Sequence, residues 1–163
     1  MKALKLFAIL LVIFWSLPAF AQFPTTFLMK LAEQGDALSQ YMLGVAYALG
    51  EKVPQDDDKA AYWMEKAAKQ DVAEAQLLLG TYYANYAKGE GVPKDYSKAT
   101  YWLKKAADNG SDGGKALLGI FYLEGRGVIR DKQMGCKLLR EAAQNEGDSK
   151  AMAMDAFSHY CAR

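Results

Sequence analysis

A chain of 163 residues with 20 basic and 19 acidic side chains has no charge excess with which to neutralise a polyanion, so a nucleic-acid partner is not expected. The length suits one domain with a continuous core.

The first 21 residues read as an export signal. Lys2 and Lys5 form the positive end, Leu6 to Leu17 an apolar run shorter than a bilayer span, and Ala19-Phe20-Ala21 a small-x-small cleavage site before Gln22. The alternative is an uncleaved anchor, against which stand the short run and Pro18. No cysteine follows the run, so a lipid anchor is not indicated. Cleavage after Ala21 leaves 142 residues carrying 18 basic and 19 acidic side chains. Nothing beyond that point is apolar enough for stable membrane insertion.

The remainder repeats itself. Val53, Pro54, Asp56, Lys59, Ala60, Trp63, Ala67 and Ala68 return as Val92, Pro93, Asp95, Lys98, Ala99, Trp102, Ala106 and Ala107, displaced by 39. Val128, Asp131, Ala142 and Ala143 continue the series after 36 more, with Leu138 where the tryptophan stood. Periods of this size mark stacked helix pairs. The pattern predicts an all-α chain of about eight antiparallel helices. The expected units are a half-unit over 25–35, full repeats over 36–71, 72–111 and 112–148, and a capping helix over 149–163, all within one domain at 22–163.

In the half-unit, Phe27, Leu31 and Ala32 match Trp63, Ala67 and Ala68, so a lone second helix is expected from Thr25 to Gln34. The first helix of each full unit carries Leu43-Gly44 with Tyr47, Leu79-Gly80 with Tyr83, and Leu118-Gly119 with Tyr122. Glycine inside a helix costs about 1 kcal/mol against alanine. Its recurrence therefore predicts a close helix-to-helix approach, with the tyrosine and the tryptophan of the second helix as its packing complements. Glycines and a valine follow, as in Gly50 to Val53 and Gly125 to Val128, giving a turn with positive φ and an apolar plug. The second helices show stripes at i, i+3, i+4 and i+7: Ala60, Trp63, Met64, Ala67; Ala99, Trp102, Leu103, Ala106; Gly135, Leu138, Leu139, Ala142. Asp56, Asp95 and Asp131 precede them as N-caps, and Gly35, Gly110 and Gly147 supply stops. The middle unit has three extra residues within Tyr82 to Lys88, which are expected to lengthen its first helix. From Ser149 to Tyr160 a further first helix is expected, with Asp155 at the glycine position and Ser158 at the tyrosine position, as befits a terminal cap.

Ala73, Leu79-Gly80, Tyr83, Gly89, Gly91-Val92, Asp95, Lys98-Ala99, Trp102, Lys105-Ala106-Ala107 and Gly110 together resemble the Sel-one-like repeat, a relative of the tetratricopeptide repeat. The resemblance implies a right-handed α/α solenoid whose concave surface, lined by first helices, recruits other proteins. Exported relatives are adaptors, regulators of envelope assemblies, or immunity proteins that neutralise secreted toxins. Cysteine-rich relatives carry a disulfide in each repeat and some are assigned a β-lactamase or penicillin-binding activity; the paired cysteines are absent from the first two units here.

Cys136 and Cys161 are the only cysteines. One starts a second helix and the other ends the next antiparallel helix, which brings them to the same end; a disulfide is expected in an oxidising compartment, two separate thiols being the alternative. His159 stands near Cys161, but two ligands fall short of a tetrahedral metal set, so a solvent-facing or capping role is favoured. No phosphate-cradling glycine loop, metalloprotease motif or serine nucleophile elbow is present, and no cofactor is expected.

The expectation is a non-catalytic, monomeric protein-binding module of a Gram-negative periplasm, or a secreted one, with a hydrolase as the alternative. Tyr41, Val45, Leu77, Thr81 and Ile120 lie off the repeat's fixed positions on first helices and are candidate partner contacts, unless they pack against adjacent helices. Tyr82 and Tyr86, in the insertion, are candidate interface anchors or simple packing residues.

Overall fold

The computed structural model describes residues 25–85, 94–145 and 147–162. Among them are eight helices and no strand: α1 (Thr25–Glu33), α2 (Ala37–Leu49), α3 (Asp57–Ala68), α4 (Ala73–Asn85), α5 (Tyr96–Asp108), α6 (Asp112–Glu124), α7 (Lys132–Ala142) and α8 (Asp148–Cys161). Consecutive helices pack on one another, and the closest partnerships are α2 with α3, α4 with α5, and α6 with α7. The segment read as an export signal lies outside the described residues, as do residues 86–88 of the stretch, Tyr82 to Lys88, read as holding the insertion. α4 is described to Asn85, the counterpart of Leu49, and matches α2 and α6 in having 13 residues.

The second helix of each full repeat starts on an aspartate. The carboxylates of Asp56, Asp95 and Asp131 each accept from the backbone N–H three residues on, all at 2.9 Å, satisfying a donor that the helix leaves free. Asp36 caps α2 and Ser111 caps α6 in the same way. Gly50 and Gly125 end α2 and α6 in the left-handed region, at φ 69° and 72°, a conformation that a side chain disfavours.

The internal glycines are where the helix pairs touch. A Cβ on Gly44 would lie 2.7 Å from Met64 Cγ, and one on Gly80 2.8 Å from Leu103 Cγ and 3.2 Å from the Ala99 carbonyl oxygen. On Gly119 it would lie 3.0 Å from the Gly135 carbonyl oxygen and 3.1 Å from Leu139 Cγ. The expected close approach is present, but the residue that fills the notch is not the tryptophan. It is the next residue, Met64, Leu103 or Leu139, each at most 1% exposed. The reason is angular: that residue points at the partner helix of its own unit. Trp63 is only half-buried, whereas Trp102 is buried in the cluster that holds Leu43, Met64 and Leu79. Tyr83 is also half-buried, not core; it touches this cluster and the next one, around Leu103 and Phe121, and so joins the two. Val53 and Val128 are partly buried against these clusters, as expected of plugs.

Neighbouring units are also joined by amides. Gln40 Nε2 donates to the Ala32 carbonyl at 3.0 Å, and its Oε1 accepts from Gln70 Nε2 at 2.8 Å. One unit later, Gln76 Nε2 donates to the Ala68 carbonyl at 2.9 Å while its Oε1 accepts from Asn109 Nδ2 at 2.9 Å. Gln76 is wholly buried, a position a polar group holds only with its hydrogen bonds made. In the third unit the relay changes form: Asp112 accepts from Asn145 and pairs with Lys115, and these contacts hold its carboxyl below the usual carboxylate range.

The last helix stands on a small contact. Its buried side chains are Ala153 and Ala156. A disulfide between Cys136 on α7 and Cys161 on α8 reinforces it, with Cα atoms 5.8 Å apart, and Tyr160 donates to Glu124 at 2.7 Å.

Candidate protein-binding surface

On each first helix the residues turned away from the second helix share one face. On α2 they are Leu38, Tyr41, Met42, Val45 and Leu49, at i, i+3, i+4, i+7 and i+11. Tyr41, Met42 and Val45 are half-buried, while Leu38 and Leu49 are 60% and 62% exposed. An apolar strip therefore meets solvent along the helix.

Val45, Thr81 and Ile120 hold the same register position in three successive units, and all three are half-buried. The Thr81 hydroxyl donates to the Leu77 carbonyl at 2.8 Å, so its polar atom is satisfied within its own helix. Ile120 packs against the Ala116, Leu123 and Leu139 cluster. Tyr41 and Leu77 also correspond, but they behave differently. Burial, with the nearby Glu74 carboxylate second, pushes the Tyr41 phenol above its ordinary pKa, so Glu74 borders the α2 strip from α4. Leu77 instead fills the space beside Gly113, whose Cβ would lie 2.8 Å from Leu77 Cδ2. It packs one first helix on the next.

Tyr82 lies on a different side of α4. It packs against the first unit's cluster, and its hydroxyl is 3.5 Å from Asp57 Oδ1. Burial, followed by the Asp57 charge and this hydrogen bond, pushes its pKa up to about 12. Its place is between units, not beside Tyr41 and Val45. Tyr86 lies outside the described residues.

Leu38 and Leu49 escaped the sequence reading. The signal was present, since both sit at helical spacing from Tyr41 and Val45, but a helix end shows nothing in the sequence of which way it is covered. A second exposed pair, Tyr62 and Tyr101, was also missed. They are 52% and 55% exposed, each edge-on to the tryptophan that follows, at 5.1 and 4.9 Å. Lys66 Nζ lies over both Tyr62 and Trp63. His159 is exposed and edge-on to Tyr160 at 4.6 Å, and the sulfur of Cys161 is engaged with Cys136. Among the described residues no three His, Cys, Asp or Glu side chains stand close enough to hold a metal ion, and no helix is long and apolar enough to cross a membrane.

A strip of half-covered apolar side chains on successive first helices offers shape and apolar burial, the chemistry of protein recognition. Comparison with known proteins agrees with the repeat architecture. The Sel1 repeat model matches residues 37–72, 73–111 and 114–146. A Sel1 repeat protein from Oxalobacter formigenes is 32% identical, with 80% of this chain and 96% of that one covered at a TM-score of 0.67. A protective antigen of uropathogenic Escherichia coli with an SLR fold is 33% identical over 86% of this chain, at a TM-score of 0.72; the match spans 33% of that protein's length. The Helicobacter pylori cysteine rich protein B, 21% identical over 77% of this chain and 88% of that one with a TM-score of 0.57, shares the fold. No curated protein matches the sequence significantly.

Proposed function

Because the chain belongs to the Sel1 repeat family, whose repeats are protein-interaction modules, we propose that it is a non-catalytic binding protein of the bacterial periplasm or cell exterior. It presents its first-helix face to one partner protein, as an adaptor, an envelope regulator or an immunity protein that occludes a toxin. The export-type N-terminus, with Lys2, Lys5 and the Leu6 to Leu17 run, supports the location. A disulfide suits that location as well.

The observation that carries the reading is the α2 strip. Leu38 and Leu49 are large apolar side chains held out in water at both ends of one helix face, with Tyr41 and Val45 between them. Folding gains nothing from their exposure, and a partner that covers them gains apolar burial with little ordering cost, since the helix is already formed.

The test uses the chain from Gln22 to Arg163 as bait in periplasmic and secreted fractions, beside a Leu38→Glu, Leu49→Lys variant. The expected result is one stoichiometric protein retained by the parent and lost from the variant, with melting temperatures within a few degrees of each other. A partner retained equally by both would remove this face from the interface.

A further inference from the structure

The Cys136–Cys161 bridge is open to solvent on one side, and the reason lies in the repeat. Cys136 occupies the register position of Ala61 and Thr100. Those two are buried, at 8% and 7% exposure, beneath the units that follow them. Cys136 is followed by α8 alone among the described helices and is half-buried. It lines an open cleft of about 580 Å³ together with Lys132, Gln133, Lys137 and Arg140. These five residues fall on one face of α7, so three cationic side chains line the cleft together with one sulfur. Two of the cations have named neighbours: Glu141 lies 3.9 Å from Lys137 Nζ, and the Arg140 guanidinium lies over the Phe157 ring at 5.5 Å. In a chain of nearly balanced charge this is a local basic concentration at a reactive bond.

We propose that this cleft is a thiol–disulfide exchange site for a carboxylate-bearing thiol, either a small acidic peptide thiol or a dithiol protein with an acidic contact surface. The incoming thiolate attacks Cys136 Sγ. A new S–S bond forms between the two, the Cys136–Cys161 bond breaks, and the electron pair departs on the Cys161 sulfur, which takes a proton from solvent. With a dithiol reagent, its second thiolate then attacks the mixed disulfide, Cys136 leaves as a thiolate and is protonated, and the reagent departs oxidised by two electrons. The cations act twice. They raise the local concentration of the anionic thiol, and they stabilise the negative charge spread along the three sulfurs during exchange. Cys161 is the leaving sulfur because it ends the terminal helix α8, whose buried side chains are Ala153 and Ala156 alone among the described residues. The site requires nothing of the first-helix face and stands or falls apart from it.

The full oxidised chain is incubated with reduced glutathione, which is net negative, or with cysteamine, which is net positive; the reaction is stopped by alkylation and the modified peptides are mapped by mass. After normalising for thiolate fraction, glutathione should react faster by a factor of about three to ten at low salt, and the mixed disulfide should sit on Cys136. A Lys137→Gln, Arg140→Gln variant should bring the two rates together, and Lys137→Arg, Arg140→Lys should preserve the difference. If the neutral variant does not fold, the parent chain in 1 M salt gives the same reading, since screening should erase the glutathione advantage. Glutathione found on Cys161, or equal rates for the two thiols in the parent at low salt, would overturn the proposal.

Discussion

Asn109 and Gln76 face each other within the second repeat, with Asn109 Nδ2, just past the end of α5, donating to Gln76 Oε1 on α4 at 2.9 Å. Gln76 passes the contact on by donating from Nε2 to the carbonyl of Ala68 at 2.9 Å. A side chain from the end of α5 is thereby connected, through a buried amide on α4, to the end of α3. Gln70 and Gln40 repeat the arrangement one unit earlier. The first two boundaries thus have a polar register mark beside their apolar contact, and a helix slipped by one residue there would leave a buried amide unpaired.

Replacing Gln76 by alanine should cost about 1–3 kcal/mol, because the Ala68 carbonyl keeps only its longer bond from the Asp71 N–H, at 3.2 Å, and the buried amide's own bonds are lost. Asn109→Ala should cost less, since Asn109 is exposed and water can replace it. Urea denaturation of the two variants and of the double variant checks this. Strictly additive losses would show that the amides do not act together.

The three glycine notches should not be equally sensitive. An added methyl meets a partner carbonyl oxygen at 3.2 Å in both places, Ala60 at Gly44 and Ala99 at Gly80; beyond that, Gly80 meets the branched Leu103 at Cγ and Cδ2, and Gly44 the Cγ and backbone N of the unbranched Met64. Gly80→Ala should therefore destabilise by about 1–3 kcal/mol, and Gly44→Ala by less, because the Met64 side chain can rotate aside although the backbone contacts stay. Thermal melts of both single variants decide it; equal losses would contradict the packing argument.

Reducing the disulfide should loosen α8 before the rest. Cys136 and Cys161 are 25 residues apart, and freeing a loop of that size costs about 3 kcal/mol in the chain-entropy account. Amide hydrogen exchange of Cys161→Ala should show faster exchange across 149–161, with α2 to α5 unchanged. Unchanged protection in α8 would mean that its alanine contacts and the Tyr160–Glu124 hydrogen bond suffice.

Tyr82 should make the fold sensitive to strong alkali. Its pKa rises to about 12 in the folded chain, from an ordinary value of 10. Between those values the unfolded chain has released the proton and the folded chain has kept it. The contribution is therefore whole below pH 10 and falls away as the pH climbs towards 12. Tyr41 and Tyr83 are shifted the same way and add to the slope. Tyr82→Phe should flatten the decline of the urea midpoint over that window, and an unaltered slope would deny Tyr82 its role in it.

Much of this architecture was legible in the sequence because it is written in a period. Leu43-Gly44, Leu79-Gly80 and Leu118-Gly119 announced the close helix pairs, and Asp56, Asp95 and Asp131 announced the helix starts. What filled the notches was misread, since Trp63 and Met64 are neighbours on one apolar stripe and a 3.6-residue period does not say which of two adjacent residues points at the partner. The amide relay was invisible for a different reason. Gln40 and Gln76 look like surface residues in a hydrophobic pattern, the third unit has Lys115 at that place, and Gln70 returns as Asn109. Tyr82 stood open between interface anchor and packing residue, because only the packing of one unit on the next shows that Asp57 lies within its reach. Of the candidate contacts, Val45, Thr81 and Ile120 share one register position, which the repeat displacement alone could have revealed.

The turn before α7 reaches outside its own unit. Thr100 on α5 donates from its hydroxyl to the Arg126 carbonyl at 3.0 Å, and Gly127, at φ 66°, lies so close to the Tyr96 carbonyl and Thr100 that a Cβ there would collide with them. In mechanical terms the array has a strut at this boundary. Bending the third repeat away from the second must break that hydrogen bond as well as pull the packed helices apart. A partner gripping the first-helix face would thus work against a spring reinforced at its α5–α7 joint, and its grip there would have to conform to the solenoid's curvature instead of reshaping it.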